Sequence, residues 1–195
     1  MVIRTLAAAG LLALAAAPAF ALTQTLTFDS FASGDVVTTE GIAAFSTETG
    51  ASLRALAIDF GTSAPNVLGA YNAGGGLDGF LPLYVDFSVG VSNLTFSSVG
   101  DDDVGAVATI NVFTDGVFNA AVALVVDGVY ENFQSHDLSA YSNITRLEIV
   151  DITDGGGLGY DDFSFTYGET SDVPLPAGAA LLLTGLAALG LKRRS

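Results

Sequence analysis

INVFTDGVFNAAVALVVDGVYENF, residues 110–133, is the stretch whose reading decides the fold. Asp115-Gly116 and Asp127-Gly128 each stand between runs of Val, Phe, Ala, Leu and Ile. An Asp-Gly pair tolerates the positive φ that a two-residue hairpin turn demands, and β-branched and aromatic flanks favour extended chain. The stretch therefore predicts a three-stranded meander over residues 107–134.

Further strand signals lie on both sides. TLTFDSF (25–31) alternates Leu26 and Phe28 with threonines and Asp29. SLRALAIDF (52–60), LYVDFSV (83–89), SNLTFSS (92–98), NITRLEIVDI (143–152) and YDDFSFTY (160–167) are short runs of β-formers. About nine strands with turn residues between them, and little period of 3.6, predict an all-β antiparallel fold of β-sandwich or jelly-roll type. The chain has no Rossmann glycine fingerprint, no P-loop and no repeating unit.

Charge is distributed unevenly. Arg4 lies near the start and Lys192, Arg193 and Arg194 near the end, leaving only Arg54 and Arg146 between them. All 21 acidic residues fall between Asp29 and Asp172, so the interior carries a net −19 where the whole chain carries −15. Such a field repels phosphate backbones and excludes nucleic-acid binding as a reading. It also attracts cations. With no cysteine in the chain, disulfides, thiolate metal sites and a thiol nucleophile are excluded, so stability must come from the core or from bound metal.

The ends read as addresses. MVIRTLAAAGLLALAAAPAFA (1–21) has a basic start at Arg4, an apolar run Leu6–Ala17 and a helix-breaking Pro18. Ala19-Phe20-Ala21 then forms an A-x-A cleavage site, which places the cut by signal peptidase before Leu22. The apolar run is too short for a membrane helix, reaching about 18 Å. At the other end Ala177–Leu191 is fifteen uncharged residues, followed by Lys192-Arg193-Arg194. Counted from Val173 it reaches about 28 Å as a helix, enough to span marginally, with the cations held on the cytoplasmic side. Pro174 and Pro176 keep the approach extended, the form in which a protease binds backbone. The expected domains are a signal peptide (1–21), an ectodomain (22–168), and a linker, sorting motif, transmembrane helix and basic tail (169–195).

Val173-Pro174-Leu175-Pro176-Ala177-Gly178, an apolar helix and a basic cluster, in that order, resemble the VPLPA variant of the PEP-CTERM sorting signal. The resemblance covers the last 23 residues. It implies export by the secretion machinery of a Gram-negative bacterium, a precursor anchored in the inner membrane, and processing by an exosortase, an integral-membrane cysteine protease. The product then goes to the cell surface or extracellular matrix. The domain also resembles the small β-sandwich ectodomains of that group at Phe28-Asp29, Gly34-Asp35-Val36, Gly41-Ile42-Ala43-Ala44-Phe45-Ser46 and Asp161-Asp162-Phe163-Ser164-Phe165. That resemblance implies a fold and almost no biochemical activity.

Few residues offer chemistry. In the last strand Asp161, Phe163, Phe165 and Tyr167 share a face, so core-facing phenylalanines turn Asp161 inward, where a carboxylate needs a cation or hydrogen-bond donors. Resemblance to jelly-roll sugar-binding modules implies a structural calcium between first and last strands, with Asp29 as a second ligand. Asp101-Asp102-Asp103 forms a separate acidic turn whose Asp101 and Asp103 are oxygen ligands for a hard cation, or else simply solvated charges. GGLGYDDFS (156–164) fits one copy of the calcium β-roll pattern, which needs stacked neighbours that the chain lacks. The sole histidine, His136, reads as a loop residue. Asn93-Leu94-Thr95 and Asn143-Ile144-Thr145 are formal glycosylation sequons.

Three functional readings follow in descending order. The first is a non-enzymatic surface or matrix protein with a structural or adhesive role. The second is a glycan-binding module that uses calcium and takes exopolysaccharide or other glycans as partners, with tyrosines as stacking surfaces. The third is a glycoside hydrolase using two of the many carboxylates.

Overall fold

The computed structural model describes residues 21–58 and 66–168. The body of the expected signal peptide, with Ala19, and the expected tail, with its Val173–Gly178 motif, apolar helix and Lys192–Arg194 cluster, lie outside the described residues. Eleven strands occur among the described residues, with no helix. They are β1 (Leu22–Leu26), β2 (Thr39–Glu40), β3 (Ala43–Ser46), β4 (Ser52–Ala57), β5 (Asn66–Tyr71), β6 (Leu83–Val99), β7 (Val104–Thr114), β8 (Val117–Asp127), β9 (Gln134–Asp137), β10 (Ile144–Val150) and β11 (Gly159–Tyr167).

Every pairing between strands is antiparallel, and β6 organises them into two wings. The first half of β6 pairs with β3 and β10, which extends through β7 to β8. Its second half pairs with β9 and β11, and β11 carries β1 and β5 on its other edge, with β4 beyond β5. The apolar faces of the wings meet. Phe45 of β3 lies 5.8 Å from Phe163 of β11, and Phe87 lies 5.2 Å from Phe165. Phe28 is edge-on to both Phe45 and Phe163, and Phe96 stacks on Phe163 at 5.1 Å. Each of these phenylalanine side chains contributes roughly 2–3 kcal/mol by leaving water, and the edge-on geometry suits the ring quadrupoles.

The hairpin at Asp115-Gly116 is as expected. Thr114 pairs with Val117, and the two turn residues have φ of 51° and 77°. A two-residue loop positive at both positions matches the right-handed twist of its strands.

The third strand of the expected meander is absent. After Asp127-Gly128 the chain turns through residues 128–133, where the Asn132 N–H reaches the Val129 carbonyl, and then crosses to the other wing. There β9 pairs with β6, so that His136 faces Phe96. The turn is tied back to Asp127 at the end of β8 by the Val129 N–H and the Asn132 side chain, and to the chain just after β6 by Gly100 N–H, which donates to the Tyr130 carbonyl.

LYVDFSV and SNLTFSS, expected as two strands, are one 17-residue strand. Leu83, Val85, Phe87 and Val91 are buried, then Leu94, Phe96 and Ser98. The inward parity changes at Asn93, whose φ is +53°. One residue in that conformation acts like a bulge and lets both halves face the shared core. The run 25–31 is likewise shorter than expected: β1 ends at Leu26, and Phe28, at φ +57°, is a turn residue with a fully buried ring.

Candidate functional site

The loops at one end of the domain bring together what the strands leave free. The β6–β7 turn carries Asp101, Asp102 and Asp103, and the β10–β11 loop carries Asp154 and three glycines. Asp154 is fully buried. Its Oδ2 accepts the N–H groups of Asp102 (3.1 Å) and Asp103 (3.0 Å), and its Oδ1 accepts that of Gly156 (3.0 Å). The contacts are reciprocal: Asp102 Oδ1 accepts Gly156 N–H at 2.9 Å and Asp103 Oδ2 accepts Gly155 N–H at 3.1 Å. One oxygen from each of Asp102, Asp103 and Asp154 falls within 4.8 Å of the other two, the one such acidic group of three or more among the described residues.

Asp101 turns the other way. It is fully buried, its Oδ2 accepts Gly128 N–H at 2.8 Å, and its Oδ1 has no hydrogen-bond partner. Burial raises its proton affinity above the ordinary carboxylate range; Gly128 N–H pulls the other way, and the nearby charges of Asp127 and Asp154 add to the rise.

Beside these loops lies a small cleft, half open to solvent. Leu56, Val67, Leu77, Val99 and Leu158 form apolar walls, and six glycines line the rest, Gly100, Gly156 and Gly157 among them. Tyr130 and Leu77 stand at the cleft more than half exposed. Backbone approaches backbone here: a Cβ on Gly157, whose φ is +74°, would lie 2.5 Å from the Gly79 Cα. Leu158 N–H closes this contact by donating to the Gly79 carbonyl. The glycines of residues 155–157 thus serve a close crossing of two loops and a turn around Asp154. Apart from Tyr130, no ionisable side chain among the described residues lines the cleft.

The other sequence-derived candidates sit elsewhere. Asp29 Oδ1 accepts the N–H of Asn66 at the start of β5, and Asp161 is fully buried on β11 with Oδ1 on the Asp162 N–H. Neither belongs to the acidic group of three. His136, expected in a loop, is on β9 and buried. Its Nε2 is 2.8 Å from Ser98 Oγ and its ring lies 4.9 Å from Phe96. Burial lowers its pKa from 6.5 to about 4, so at neutral pH it is an uncharged core residue. Both sequon asparagines are engaged: Asn93 Nδ2 donates to Thr166 Oγ1 at 3.0 Å, and Asn143 Nδ2 donates to Asp115 Oδ1.

Asp154 and Tyr130 are not legible in the sequence as site residues. Asp154 is 51 residues beyond Asp103, and its only local mark is the Asp-Gly-Gly-Gly that it begins, a turn signal compatible with many roles.

No protein-family model matches this chain, and no curated protein does. Among solved structures it is similar to the native structure of a family 35 carbohydrate binding module from Clostridium thermocellum. The TM-score is 0.40 and the identity 10%, over 74% of this chain and 97% of that one. Likeness at this level carries no inference about ligand or mechanism.

Proposed function

We propose that residues 22–168 form the non-catalytic β-sandwich ectodomain of an exported surface protein and that its loop end binds a neutral glycan. The cleft carries this reading. The apolar walls and Tyr130 offer surface to the C–H face of a sugar ring, and a net −19 over the interior disfavours anionic ligands. A hydrolase needs two carboxylates facing a substrate. Here the buried Asp154 holds loop amides with both oxygens, and no carboxylate or histidine lines the cleft among the described residues.

The address supports the same setting. The signal peptide and the Val173–Gly178 motif direct the precursor to the inner membrane and then, after exosortase cleavage, to the cell surface or matrix of a Gram-negative bacterium. Intact mass of protein recovered from the native surface tests this: a species from Leu22 to within Val173–Gly178 is expected. A species retaining Lys192-Arg193-Arg194 would make the tail a permanent anchor and overturn the sorting reading.

Binding is tested on a panel of neutral polysaccharides and oligosaccharides by retention and calorimetry. Tyr130→Ala is expected to weaken binding about tenfold, the loss of one stacking surface, with the thermal midpoint preserved. Retention of no glycan by the wild-type protein would overturn the binding role and leave a purely structural one.

A further inference from the structure

We propose that the free edge of β8 pairs with β8 of a second copy of this chain, antiparallel about a two-fold axis at Ala123, so that two domains share one continuous sheet. This surface is separate from the glycan cleft, whose lining includes no residue of β8. β8 closes one end of the strand order: β7 pairs along its inner edge, and no strand among the described residues pairs along the other. Such an edge presents a row of N–H and C=O groups that another strand can take up.

The two ends of the strand order differ. At the β4 end, residues 34–37 lie along the outer edge and occupy it. Gly34 N–H donates to the Ala55 carbonyl at 2.8 Å, Ala55 N–H to that of Asp35 at 3.0 Å, and Val37 N–H to that of Leu53 at 2.9 Å. At the β8 end no described segment plays that part. The devices that blunt an edge are also scarce there. β8 has 11 residues, with no proline and no ionisable side chain from Val117 to Val126. Its one bulge is at Asn119, where Val112 faces Ala120 and Phe113 faces Phe118. Beyond it β8 itself is unbroken, because the other register shift falls on β7 at Val107. Ala120–Val126 thus offers a regular edge about 23 Å long.

Charge and symmetry select the occupant. The interior carries −19, so two copies repel wherever their carboxylates face each other. An antiparallel strand pair is its own complement under a two-fold axis, the closure that two identical chains need. Centred on Ala123, the pairing sets Ala120 opposite Val126, Ala121 opposite Val125 and Val122 opposite Leu124 of the other copy. All of these are uncharged, and the first carboxylate, Asp127, falls near the Asn119 amide instead of another carboxylate. Ala121, Ala123 and Val125 are exposed on the outward face, where they meet Asn111, Thr109 and Ala106 of β7. The shared sheet therefore has a small, uncharged surface on both sides of the axis.

A dimer with Kd on the order of 10⁻⁴ M is expected, since one strand edge lies at the small end of specific interfaces. The test is sedimentation of the processed protein recovered from the native surface, from about tenfold below to tenfold above that value. Amide protection at residues 120–126 should rise over the same range. Added salt should strengthen the dimer by screening the repulsion between two anionic domains. Ala123→Lys and Ala123→Glu each set like charges opposite one another at the axis, and each should weaken association about fivefold, with the thermal midpoint preserved. Mixing the two variants should restore it, because the facing charges then have opposite sign. A protein that stays monomeric throughout would overturn the proposal; protection of residues 120–126 in that monomer would assign the edge to another segment of the same chain. A dimer indifferent to both variants would place the interface elsewhere and overturn it as well. Variants that dissociate alone and fail to associate when mixed would overturn the two-fold register at Ala123.

Discussion

The phenylalanine cluster between the wings and the glycine–aspartate loops at the end of the domain are held by opposite means. In the core, Phe28, Phe45, Phe96 and Phe163 touch through faces and edges, and their energy is that of apolar surface removed from water. At the loop end, order comes from carboxylates that accept backbone N–H groups and from glycines that let chains cross at contact distance. The core is therefore insensitive to ligand, whereas the loops depend on charge and tolerate almost no change of shape. A scaffold of the first kind can position a site of the second kind because the two draw on different residues.

Substitutions should separate the two regions. The largest effect belongs to Phe163→Ala, which removes the ring that Phe28, Phe45 and Phe96 all contact. A loss of about 3–5 kcal/mol is expected by denaturant unfolding; a loss below about 1 kcal/mol would mean that the wings are held by something other than this cluster.

Next is the acid response of the core. The unfolded chain protonates His136 near 6.5, the folded one only near 4. The unfolded state thus binds more protons between those values, so His136 contributes its full stability above pH 6.5 and loses it as pH falls towards 4. The loss is on the order of 3 kcal/mol. Asp127 and Asp137, whose pKa values lie below the ordinary carboxylate range through hydrogen bonds to Asn132 and Ser139 respectively, act in the same direction at still lower pH. Asp101 and Glu40, both raised by burial, act in the opposite one. His136→Gln should flatten the stability profile between pH 6.5 and 4; an unchanged slope there would assign acid sensitivity to the carboxylates instead.

The smallest of the three concerns the loops. Gly157→Ala adds a Cβ at positive φ against the Gly79 backbone and should cost about 2–3 kcal/mol. Its diagnostic feature is location: amide exchange should quicken in residues 77–81 and 154–158 while the Phe163 surroundings stay protected. Uniform loss of protection would show that loops and core unfold as one unit.

Part of this architecture is legible in the residues themselves. FSFTY alternates so that Phe163 and Phe165 face the same way, and both are buried; the expected sharing of that face by Asp161 fails, because Asp162, at φ +52°, bulges the strand between them and leaves Tyr160 and Asp161 both buried. Asp115-Gly116 demands a turn of positive φ, which is a property of two residues and their neighbours. The same dipeptide at Asp127-Gly128 misleads, because whether a strand follows a turn depends on which edge is open to receive it. Asn93 likewise hides the continuity of β6, since a change of inward parity reads locally as a strand end. The acidic site is half legible: three consecutive aspartates stand out, but Asp154, which binds their turn, carries no local signature.

The sequence by itself therefore determined what depends on near neighbours. That comprises the antiparallel all-β class, the first hairpin, the inward placing of Phe163 and Phe165 in the last strand and the anionic character of the domain. The tertiary structure alone decided that β6 serves both wings, that the chain crosses after Gly128, and that Asp102, Asp103 and Asp154 meet beside a glycine-lined cleft. The physical reason is range. Turn conformation and side-chain alternation are set by sterics within a few residues, whereas edge choice and loop convergence are set by the burial of one shared core, to which residues from Leu26 to Phe165 contribute together.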